Sequence, residues 1–131
     1  MNYSAGLSNI NPENIPIELI KDLNFYEFEI ELCELQLESL AKNRKYDREV
    51  SNQLDRFQNQ FINQQKSINK IREKVAQLCL LTSDFRLYND WKHYKFNNNL
   101  KREIATEIQT LRQTHLATEK EYYGFLAQWS N

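Results

Sequence analysis

The residues able to do chemistry in this chain are few and scattered. Its two histidines are His93 and His115. His93 closes an Asp90-x-x-His93 pair, and His115 shares a helix face with Glu119 four residues on. Carboxylate and imidazole at such spacings can hold a metal ion, and di-iron helical bundles repeat a Glu-x-x-His pair on two helices. Here neither pair has a second copy, so no metal-ligand set is complete in the sequence, and metal binding by a helical bundle stands as an alternative only. Cys33 falls on an apolar stripe, where a thiol packs as a small hydrophobe and is a poor nucleophile. With two glycines in the chain there is no phosphate-cradling loop. The sequence therefore points to no catalytic residues, no cofactor and no enzyme.

A second chemistry is nucleic-acid binding. Lys92, Lys95, Lys101 and Arg102 are interleaved with Trp91, Tyr94 and Phe96, and Lys66, Lys70, Arg72 and Lys74 add a basic flank upstream. Cations alternating with stacking rings can hold a single strand. The whole chain has a formal net charge of −1, however, whereas a nucleic-acid binder shows a basic domain or stripe. Single-strand binding is thus the alternative reading, and nucleic acid is not the expected partner.

The elements that carry these residues are helices. From Ile17 onward there is no proline and only one glycine, Gly124. Helix interiors disfavour both residues and hairpin turns require them, so the punctuation predicts an all-α chain. Val50, Leu54, Phe57, Phe61, Gln64, Ile68, Ile71, Val75 and Leu78 recur at steps of four and three, with Gln64 the one polar interruption. A stripe of this kind packs against another helix. Tyr26, Ile30, Cys33, Leu37 and Leu40 form a matching seam, and a third runs Ile104, Ile108, Leu111, His115, Thr118, Tyr122, Phe125, Trp129.

These seams predict an antiparallel coiled-coil bundle of three long helices in one domain over residues 11–131, after a flexible leader at 1–10. Asn11-Pro12 reads as the first helix start, with the helix running to about Lys42; the second runs from a cap at Asp47 to about Leu81. Opposite charge supports pairing of the first two. Glu13 to Glu38 holds eight acidic residues and one lysine, and Lys42 to Lys74 holds nine basic and four acidic residues. A turn near Arg44 brings Leu37 to Leu54, Cys33 to Phe57 and Ile30 to Phe61, and places Tyr26 opposite Gln64. Cys33 and Cys79 then lie far apart, which argues against a disulfide.

The third helix poses a problem of length. Unbroken from Asp84, it would exhaust its neighbour near Thr118 and project about 15 Å of aromatic tail into water. Asn97-Asn98-Asn99 offers a break, since asparagine side chains compete for backbone hydrogen bonds. The expectation is a third helix from about residue 97 to 129, with a possible short helix at about 84–95.

The first helix carries a second stripe, Phe25, Phe28, Leu32 and Leu35, on nearly the opposite side from Tyr26 and Ile30. Either the helix is flanked on both sides within the bundle or the stripe faces another molecule. Together with Tyr122, Tyr123, Phe125 and Trp129 these are the candidate partner-binding residues, because aromatic anchors dominate interfaces; a bundle core claims the same residues. The tail Lys120-Glu121-Tyr122-Tyr123-Gly124-Phe125-Leu126-Ala127-Gln128-Trp129, with Phe57-Gln58-Asn59-Gln60-Phe61-Ile62, resembles a group of small bacterial coiled-coil proteins with no activity attached. The resemblance implies a coiled-coil fold and brings no site residues. The expected function is non-catalytic helix–helix contact, an assembly or adaptor role, with the partner being a second copy or another protein's helix. No apolar run matches a membrane span or signal-peptide core, so no membrane is expected and the cytoplasm is the expected address.

Overall fold

The computed structural model describes residues 17–43, 48–83 and 91–129, and each of these segments is one helix: α1 (Ile17–Asn43), α2 (Arg48–Ser83) and α3 (Trp91–Trp129). The expected leader, the Asn11-Pro12 start, the Asp47 cap and residues 84–90 of the expected short helix lie outside the described residues. No strand occurs among the described residues, and the three helices pack against one another as a bundle.

The heptads become the core with little alteration. Leu19, Leu23, Tyr26, Ile30, Cys33 and Leu37 are the buried side of α1. From α2 come Leu54, Phe57, Phe61, Gln64, Ile68, Ile71 and Leu78, and from α3 Leu100, Ile104, Ile108, Leu111, His115, Thr118, Tyr122 and Phe125. One hydrophobic cluster unites the apolar members of all three stripes. Neither Cys33 nor Cys79 forms a disulfide.

Cross-helix bonds fix direction. Gln65 bonds Glu27, and Arg72, one heptad later, reaches back to Asn24 as well as Glu27, so α1 and α2 are antiparallel. Arg56 meets Glu121 at 3.0 Å while Lys74 bonds Glu107, so α2 and α3 are antiparallel too. His115 bonds Glu29, and one heptad later Tyr122 bonds Gln36, which makes α1 and α3 parallel. The basic flank of α2 is therefore shared: Arg72 serves α1, whereas Arg56 and Lys74 serve α3. Such half-exposed pairs contribute tenths of a kcal/mol each and act chiefly on register.

Two expectations are corrected. α3 does not break at Asn97–Asn99; it is a continuous helix from Trp91 to Trp129, and residues 91–95 of the expected short helix are its first turns. The reason is register: Asn97 stands three residues before Leu100 and seven before Ile104, and it is itself fully buried on the core stripe. Packing of the whole stripe outweighs the weak helix propensity of three asparagines. Nor does the aromatic tail overhang. Because α3 starts at Trp91, Thr118 reaches Gln64 in the middle of α2, and Glu121 still has Arg56 beside it.

Candidate functional site

Midway along the bundle the core turns polar. Gln64 of α2 and His115 and Thr118 of α3 occupy core positions, and all three are buried. Each side chain answers another. Gln64 Nε2 donates to Thr118 Oγ1 at 2.9 Å, and Gln64 Oε1 lies 2.9 Å from His115 Nδ1. An amide oxygen only accepts, so in this arrangement Nδ1 carries the proton. The expectation that Tyr26 would meet Gln64 is corrected: α3 supplies the partners, and the Tyr26 ring instead stands edge-on to the His115 ring at 5.6 Å. A polar residue in each of two facing stripes, at the same level, satisfies both and pins the register of α2 against α3.

The other edge of the His115 ring faces α1. Nε2 is 2.9 Å from Glu29 Oε1 and 3.4 Å from Glu119 Oε2, and the imidazole has no exposed surface. Ligand atoms of these three residues all lie within 4.8 Å of one another. Partial burial, with the Glu29 carboxylate next to it, pushes the Glu119 carboxyl above the usual range. Nearby, burial raises the Cys33 thiol to about 11, so it stands as a protonated packing group at neutral pH.

Two helical turns beyond the histidine, Tyr122 fills the gap between all three helices. Its ring packs edge-on against Phe57 at 5.3 Å and Phe61 at 5.5 Å, and its hydroxyl donates to Gln36 Oε1 at 2.8 Å. Phe125 continues the cluster at 5.5 Å from Phe57. These two candidate partner residues are thus occupied inside the chain as core. Tyr123 is half exposed, and the Trp129 side chain lies outside the described residues.

The second stripe of α1 is outside the core. Phe25, Phe28, Leu32 and Leu35 keep 56%, 59%, 50% and 63% of their surface exposed. Three helices in a triangle share one central core, so each uses a single face, and the opposite face of α1 has no neighbour among the described residues. The alternative that these four residues are core is thereby corrected.

Of the basic and aromatic cluster, Phe96, Lys101 and Arg102 have described side chains. Lys101 is buried, and burial lowers its ammonium below the ordinary lysine value, while its chain neighbour Arg102 is exposed. The side chains of Lys92 and Lys95 lie outside the described residues, as does Asp90, and so does the side chain of His93.

Sequence reasoning had His115 and Glu119 as a pair on one helix but missed Glu29. No local spacing joins Glu29 to residues on α3. The signal that finds it is the parallel register of α1 and α3, in which Glu29 and Gln36 stand one heptad apart opposite His115 and Tyr122. No helix of the described residues is long and apolar enough to cross a membrane. No family model, no curated protein and no solved structure matches the chain, so its relationship to known proteins rests on no shared sequence or fold match.

Proposed function

We propose that this protein is a non-catalytic helix-docking module, in which the outer face of α1 receives a helix from a partner protein. The carrying observation is the stripe Phe25, Phe28, Leu32, Leu35, spaced three, four and three, and half or more exposed along its length. That spacing is one side of a coiled-coil seam. A contiguous apolar stripe on the surface of a soluble protein marks an interaction site.

Charge selects the occupant. Glu31, Glu34 and Glu38 border or flank the stripe, and partial burial together with neighbouring Glu31 pushes the Glu34 carboxyl up. Two copies of α1 laid face to face would set these acidic borders against each other. A helix with basic borders would meet them with opposite sign, as e and g positions do in matched coiled coils. The expected partner is therefore an amphipathic helix with Leu-type anchors and Lys or Arg flanks.

Binding of synthetic peptides tests this. One peptide has leucines at a and d with lysines at e and g; its control carries glutamates there. Fluorescence anisotropy with the full chain should show binding of the basic peptide, weakening as salt is raised. Phe28→Glu with Leu35→Glu should abolish binding. Indifference to peptide charge, or binding that survives the double substitution, would refute the reading. Concentration-dependent sedimentation showing a dimer dispersed by the same substitutions would make a second copy the occupant and overturn the choice of a basic partner.

A further inference from the structure

The geometry points to a divalent transition-metal site at the α1–α3 seam, with His115 Nε2, Glu29 Oε1 and Glu119 Oε2 as ligands and zinc as the natural probe. It uses none of the apolar residues of the docking stripe, although Glu29 stands at the border between that stripe and the core side of α1.

Three observations carry it. Gln64 Oε1 accepts from His115 Nδ1, so Nε2 is the ring nitrogen that can offer a lone pair to a metal. That lone pair faces two carboxylate oxygens, at 2.9 and 3.4 Å. These three atoms converge on one point, which either a proton on Nε2 or a metal ion can occupy. In addition, Glu119 Oε2 is shut off from water and has no hydrogen-bond partner. Leaving a buried anionic oxygen unanswered is among the costlier arrangements in a protein. A cation at the point of convergence answers all three atoms at once.

Distances and surroundings suit a metal. Bonds of about 2.0–2.2 Å in a tetrahedral zinc site set ligand atoms roughly 3.3–3.6 Å apart. The Glu119 separation of 3.4 Å lies within that range, whereas the Glu29 separation of 2.9 Å is shorter, so metal binding requires the Glu29 carboxylate to draw back from Nε2. The imidazole is already aimed: Gln64 holds its far nitrogen, and Thr118 in turn holds Gln64. Such an outer hydrogen bond orients the ring and fixes its tautomer in metal sites generally. One imidazole with two carboxylates is a borderline donor set, suited to Zn²⁺, Fe²⁺ or Mn²⁺ rather than to soft Cu⁺. Three protein ligands leave a fourth position for water, on the side where Glu29 and Glu119 retain some exposure.

A proton on Nε2 is the rival occupant, and zinc titration separates the two. The full chain carrying Cys79→Ser, which removes the more accessible thiol, is stripped with a chelator and titrated with zinc chloride against a chromophoric competitor. Stoichiometric uptake is expected, together with a zinc-dependent rise in melting temperature and visible absorption when Co²⁺ replaces zinc. Glu29→Gln and Glu119→Gln keep side-chain size and remove ligand charge; each should weaken uptake by at least about tenfold and abolish the thermal shift. Circular dichroism verifies that both variants are folded. No uptake by the stripped chain, or uptake by both glutamine variants as tight as that of the chain with Glu29 and Glu119 intact, overturns the site and leaves the proton as its occupant.

Discussion

Replacing Tyr122 tests the central packing more sharply than any other change, because this one side chain joins all three helices. Its ring is fully buried against Phe57 and Phe61 of α2, and its hydroxyl reaches Gln36 of α1. Tyr122→Phe removes only the hydroxyl. Gln36 is exposed, so water can take over its oxygen, and the loss should be about 1 kcal/mol, the net worth of one hydrogen bond. Tyr122→Ala also removes the ring and opens a cavity between two phenylalanines, which should cost about 3–5 kcal/mol. Urea unfolding followed by circular dichroism measures both. A cycle with Gln36→Ala isolates the α1–α3 bond: the two single changes should fall short of additivity by about 0.5–1.5 kcal/mol. If Tyr122→Ala costs less than about 1 kcal/mol, the three-helix core is not formed as described. If instead the cycle is additive while Tyr122→Ala is costly, α2 and α3 pair correctly but α1 does not dock in this register.

Other outcomes follow from particular side chains. Burial raises Tyr122 well above the ordinary phenol value, so its contribution is intact below about pH 10, where the unfolded phenol ionises, and is lost as pH rises further; the alkaline fall in urea midpoint should be shallower in Tyr122→Phe than in the parent. Asn97 is fully buried and neither polar atom of its side chain has a hydrogen-bond partner among the described residues, so Asn97→Leu should raise stability by about 1–2 kcal/mol in urea, and a loss would show that its amide is satisfied in solution. Cys33 is buried with its thiol raised to about 11, whereas Cys79 is only partly buried; at pH 8 a disulfide reagent should label Cys79 well before Cys33, and equal rates would mean that α1 detaches readily. Phe28→Glu with Leu35→Glu should change stability by no more than about 1 kcal/mol, since both sites are on the surface, and a large loss would mean that the stripe is covered.

The sequence by itself determined that the chain is helical, how many long helices the described residues contain, and which faces of α2 and α3 turn inward. Those properties are local: the scarcity of glycine and proline acts residue by residue, and a heptad stripe marks its own buried side. Length bookkeeping along the chain was also legible, but it posed the wrong choice for α3, between a break at Asn97 and an overhanging tail. Both were avoided by starting the helix at Trp91, a fact that depends on how much chain the α2–α3 connection uses. The tertiary structure alone decided what faces what across helices. Parallel alignment of α1 and α3 brought Glu29 to His115 and Gln36 to Tyr122; no spacing within one helix encodes that pairing. It also decided that the second stripe of α1 stays outside, because three helices around one axis bury one face each and leave the opposite face of the helix to whatever binds there.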